Sequence, residues 1–66
     1  MRRLKKQLWP YYITVNKHKK IGDIEVWLTE RVGAYREQWH AVYYSNKTDF
    51  YFKQAPNTTM FALKWK

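Results

Sequence analysis

Two histidines, one serine and five acidic side chains are the groups through which this chain could hold a metal, attack as a nucleophile or move protons. His18 and His40 fall in different predicted elements, and neither belongs to a His-x3-His or Glu-His pair of the kind a metal site needs. Ser45 sits among turn formers without a Gly-x-Ser-x-Gly elbow, so nothing presents its hydroxyl for nucleophilic attack. Glu30 and Glu37 could pair as acid and base, but they flank a polar connection where carboxylates are usually solvated. Gly22 and Gly33 form no phosphate-cradling loop, and the absence of cysteine removes thiolate, disulfide and Cys-zinc chemistry. The expectation is therefore a non-enzymatic protein with no cofactor and no metal.

Charge and aromatic rings offer a different chemistry. The 66 residues carry a net charge of +8 while being 45% hydrophobic and 20% aromatic, a content that suits a small folded domain and not a disordered basic tail. Residues 1–20 hold Arg2, Arg3, Lys5, Lys6, Lys17, Lys19 and Lys20 with no acid, whereas residues 21–46 are net acidic through Asp23, Glu25, Glu30 and Glu37. A field concentrated at one end of a chain attracts polyanions. Bases stack on exposed aromatic rings while Lys and Arg meet phosphates. The expected binding residues are the seven basic residues of the front segment and Lys53 for phosphate, with Tyr12 and Tyr51 for stacking, joined by one of Tyr43 or Tyr44.

These residues need a scaffold. Tyr11-Tyr12-Ile13-Thr14-Val15 is aromatic and β-branched and reads as a strand with Tyr11, Ile13 and Val15 on one face. Ile24, Trp27, Leu28, Arg31 and Val32 fall at helical spacing, with Asp23 as the expected N-cap and Gly33 as a positive-φ C-cap; a strand over Ile24 to Thr29 is the competing reading. Trp39 to Tyr44 and Phe50 to Phe52 read as a hairpin around a turn at residues 45–49. The C-terminal stretch alternates like a strand, but Asn57 as N-cap and the following Met, Ala, Leu and Lys favour a helix. The order β-α-β-β-α predicts an α+β domain, a three-stranded sheet with two helices on one face, equivalent to an incomplete ferredoxin-like arrangement. Ile13, Val15, Trp27, Leu28, Phe50, Phe52, Phe61 and Trp65 are the expected core. Residues 1–8 are expected to be a mobile basic arm of this single domain, 1–66.

The run Val26 to Gly33, Trp39, the strand Phe50-Tyr51-Phe52 and the ending Met60-Phe61-Ala62-Leu63-Lys64-Trp65 resemble small uncharacterised proteins of tailed bacteriophages, over about residues 24 to 65. Thr58 and Thr59 stand where that pattern has an acidic residue and Ala, and Lys66 where it has Gly. The resemblance implies a C-terminal helix and a phage origin; it carries over no functional residue. The expected function is a phage-type accessory protein that binds nucleic acid, DNA or RNA, through the basic front and the sheet aromatics. The alternative is a phage-encoded protein that binds and inhibits an acidic host protein, a defence or transcription component, since exposed aromatics also anchor protein interfaces. The same face would suit a homodimer seam. No apolar run approaches a membrane span and no signal peptide is evident, so no membrane partner is expected and the expected compartment is the cytoplasm, that of an infected bacterial host if the phage resemblance holds.

Overall fold

The computed structural model describes residues 9–16 and 20–65, and within them the chain runs β1 (Tyr11–Asn16), α1 (Ile21–Arg31), β2 (Trp39–Tyr43), β3 (Lys47–Phe52) and α2 (Ala55–Trp65). The expected basic arm, with Arg2, Arg3, Lys5 and Lys6, lies outside the described residues, as do Lys17 and Lys19. The sheet order is β1-β3-β2 with both pairings antiparallel, so β1 and β2 run parallel with β3 between them. That is the split βαβ topology of the expected α+β fold, in which α1 makes the crossover.

Register assigns the two faces. Tyr11, Phe52 and Trp39 align across the sheet, as do Ile13, Phe50 and Ala41, and this face receives both helices. Ile24 and Leu28 of α1 and Phe61 of α2 bury completely against Val15, Trp39, Ala41, Phe50 and Phe52, with Ile13, Trp27 and Trp65 packed around them. Ile24, Trp39 and Ala41 complete the core beyond the residues expected from sequence. Phe61 is its centre: its ring lies 5.1 Å from Phe50 and 5.2 Å from Phe52, both tilted, the favoured geometry for aromatic pairs.

Element boundaries differ from expectation where tertiary contact outweighs local signals. Helix α1 begins at Ile21, not after Asp23; Lys20 is the N-cap, makes no side-chain capping bond, and its carbonyl accepts the Ile24 N–H at 3.1 Å. A glycine inside a helix costs about 1 kcal/mol. Ile21 packing against the core offsets the cost at Gly22, because burying an isoleucine contributes about 1.5 to 3 kcal/mol when complete. Asp23 still lies in the first turn, where its charge suits the helix dipole. At the other end Gly33 has φ +141°, positive as expected but wider than the left-handed helical value, and its N–H reaches back to the Leu28 carbonyl at 3.0 Å. Helix α2 likewise starts at Ala55, ahead of Asn57, with Pro56 in the first turn, where a missing N–H costs nothing. A strand would have put Phe61 and Leu63 on one face; the helix buries Phe61 and leaves Leu63 85% exposed.

The hairpin turn is shorter than expected. Strand β3 begins at Lys47, so Thr48 and Asp49 are strand residues, and the connection closes with the Tyr44 N–H donating to the Lys47 carbonyl at 2.9 Å. Asp49, ordinarily a turn former, is held in the central strand because its Oδ1 accepts the Thr14 hydroxyl at 2.7 Å from β1.

Candidate nucleic-acid interface

The face away from the helices carries Tyr12 and Thr14 of β1, Asp49 and Tyr51 of β3, and His40 and Val42 of β2. One row across it is Tyr12, Tyr51, His40. Tyr12 is 58% exposed, and its ring stacks on that of Tyr51 at 5.4 Å between centroids and 27° between planes. Strand pairing positions these rings: directly opposed cross-strand residues have their Cβ atoms about 5 Å apart, which is stacking distance for two tyrosines. Trp9, just before β1, lies 5.7 Å from His40, and the exposed Lys53 places its ammonium 5.2 Å from the Trp9 ring centroid. One end of the open face thus combines four aromatic or imidazole rings with a lysine.

His40 is flanked on its other side by Tyr35 at 5.2 Å. Its Nδ1 is buried with no hydrogen-bond partner among the described residues. Burial, and then the positive charge of Arg36, lower its pKa from the ordinary value of 6.5, so the ring between Trp9 and Tyr35 is neutral at pH 7. The next row has a different character. Asp49 is only 6% exposed although it lies on the face without helices, and its Oδ1 accepts the Thr14 hydroxyl beside the apolar Val42. The basic side chain beside the rings is Lys53, at the other end of the face from Asp49.

Of the residues expected from sequence, Tyr12, Tyr51 and Lys53 come together at that end. Lys20 does not: it follows the far end of β1 as the N-cap of α1. Of the two alternatives at the end of β2, Tyr43 belongs to the helix side, where its hydroxyl donates to the Glu25 carboxylate of α1. Tyr44 follows β2 with the Lys47 ammonium 5.1 Å from its ring centroid. Trp9 and His40 were missed; alternation along β2 from the buried Trp39 would have put His40 on the face of Tyr51, whereas Trp9 precedes any strand and no periodicity marks it. No family model matches this chain, and no curated protein or solved structure does. Among the described residues no cluster of His, Asp or Glu could hold a metal ion, and no helix is long and apolar enough to cross a membrane.

Proposed function

We propose that this chain is a small phage-type accessory protein that binds single-stranded nucleic acid without catalysis. The observation that carries the reading is the stacked Tyr12 and Tyr51 pair on a sheet face without helices, with Trp9, His40 and Lys53 beside it. Adjacent-strand aromatics on an open sheet are the arrangement that lets unstacked bases lie flat while lysines meet the backbone. The +8 charge supplies the long-range attraction, and the basic residues at 2, 3, 5, 6, 17, 19 and 20 supply most of it. Base preference is expected to be weak, because every base offers a π-face and stacking reads no hydrogen-bond pattern. The test is an equilibrium titration in low salt against single-stranded DNA, duplex DNA and RNA. Binding that favours the single strands supports the proposal, and no binding to any of the three overturns it.

A second reading, a protein that binds and inhibits an acidic host protein, draws on a separate observation. Leu63 and Met60 leave an apolar surface on α2, and Tyr11 is 41% exposed on β1. Affinity purification from the host with and without nuclease separates the two: a nuclease-resistant protein partner favours this reading, and nucleic acid alone favours the first.

A further inference from the structure

On the helix side of the sheet, the edge strand β2 and helix α1 do not close completely. Between them is an open cleft of about 300 Å³ lined by Glu25, Thr29, Tyr35, Trp39 and Tyr43. Among the described residues that line it, three are aromatic and one is a carboxylate. Each is fixed by its neighbours. Trp39 is buried and its indole N–H donates to the Gly33 carbonyl at 2.9 Å, so it forms a rigid floor. Tyr35 stands edge-on to Trp39 at 4.9 Å, held by a tight loop in which the Arg36 N–H donates to the Trp39 carbonyl at 2.6 Å and the Gln38 N–H to the Ala34 carbonyl at 3.0 Å. Tyr43 is tied to Glu25 by its hydroxyl, and the Thr29 hydroxyl donates to the Glu25 carbonyl at 3.0 Å. Tyr35 and Tyr43 remain 43% and 52% exposed, so their rings are open to an occupant.

The electrostatics select the occupant. The cleft lies in the net-acidic part of a strongly basic chain, Glu25 is the charged group lining it among the described residues, and π-faces attract cations. Burial and the hydrogen bond to Glu25 hold the Tyr43 hydroxyl protonated far above neutral pH, so the negative charge stays on the carboxylate. Arg36 follows Tyr35 in sequence, but its charge is felt at His40, toward the other face of the sheet. The carboxylate takes the Tyr43 hydroxyl on Oε2, and most of the described lining is aromatic, so the cleft offers more π-surface than hydrogen-bond acceptors. A primary ammonium would bring three donors that need partners, whereas a methylated ammonium brings none and is weakly hydrated. We propose that this cleft binds a quaternary ammonium ion, seated between the exposed rings of Tyr35 and Tyr43 above the Trp39 floor and neutralised by Glu25. The cleft adjoins the stacking face at Tyr35, whose ring also flanks His40, but Glu25 and Tyr43 lie on the helix side and the proposal does not rest on nucleic-acid binding.

The test uses the full chain, ¹⁵N-labelled and at constant ionic strength, titrated with choline and with its neutral isostere 3,3-dimethylbutan-1-ol. Choline should cause saturable shifts of the Trp39 indole N–H and of the Tyr35 and Tyr43 amides, with the neutral isostere binding about tenfold weaker or less. Glu25→Gln retains an acceptor for Tyr43 and removes the charge, so it should weaken choline about fivefold or more and leave the isostere unchanged. If that variant does not fold, Tyr35→Leu, at an exposed position, serves instead and should also weaken choline. A parallel titration with Nα-acetyl-Nε-trimethyllysine methylamide distinguishes the source: tighter binding than choline identifies a methylated lysine side chain, and tighter choline binding identifies a free small molecule. Equal binding of choline and the neutral isostere, or no saturable shift at tens of millimolar choline, overturns the proposal.

Discussion

Replacing Phe61 by Ala removes the ring on which both central phenylalanines of β3 rest. Phe61 is fully buried, and its neighbours Phe50 and Phe52 are fully buried too, so on the sheet side the vacated space is walled by rings that are already packed. A buried aromatic covers about 150 to 250 Å², which at about 25 cal/mol per Å² is about 4 to 6 kcal/mol for the whole side chain. Keeping the alanine methyl and allowing partial collapse brings the expected loss to about 3 to 5 kcal/mol. A chain of this length has about 3 to 10 kcal/mol to lose, so the variant should be marginal or unfolded at 25 °C. Trp27 supplies the control. It touches Phe61 at 6.2 Å and Trp65 at 6.2 Å but is only half-buried, so Trp27→Ala should cost less, about 1 to 3 kcal/mol. Urea melts followed by near-UV circular dichroism measure both. A Phe61→Ala midpoint within experimental error of wild type, or a larger loss for Trp27→Ala, would refute this packing.

Gly33→Ala should destabilise by about 1 to 3 kcal/mol, because φ is +141° and the new Cβ would sit 2.7 Å from Gln38 Cγ; Gly22→Ala, inside α1 and with its new Cβ meeting no packing neighbour within 4 Å among the described residues, should instead stabilise by about 0.5 to 1 kcal/mol in the same melts. Thr14→Val removes the donor to the buried Asp49 carboxylate and should cost about 1 to 3 kcal/mol, while Thr14→Ser should cost much less. His40 has a folded pKa below its unfolded 6.5, so the unfolded chain binds more protons in that range and stability should fall as pH drops below about 6.5. His40→Gln should flatten that slope in thermal melts run from pH 7 to pH 5, and an unchanged slope would show that His40 is not its source.

The strands and the core were legible because alternation and aromatic content are strong local signals. Val15, Phe50 and Phe52 point inward as their parity requires, and Tyr12 and Tyr51 share the opposite face for the same reason. Helix starts were less legible. Asp23 and Asn57 are good N-caps by residue type, but packing of Ile21 and tolerance of Pro56 in a first turn extended both helices upstream. Asp49 read as a turn residue because its partner, Thr14, is 35 positions away, a distance no local pattern spans. The cleft between α1 and β2 was hidden for a similar reason. Glu25 and Tyr43 are 18 residues apart and meet only once the crossover is made.

The stacking claim is tested most directly by the affinity of wild type and Tyr12→Ala for one single-stranded oligonucleotide, measured by fluorescence anisotropy over a series of salt concentrations. Tyr12 is exposed, so its loss should leave the fold intact, which circular dichroism can check. If bases stack on the Tyr12 and Tyr51 pair, Tyr12→Ala weakens binding by about 1 to 3 kcal/mol at every salt concentration, and Tyr51→Ala does likewise. The slope of log K against log salt should not change, since it counts neutralised phosphates at about −0.7 each on a single strand. Replacing Arg2, Arg3, Lys5 and Lys6 by Ala should do the reverse, flattening the slope. A Tyr12→Ala protein that binds as tightly as wild type across the series would contradict the account.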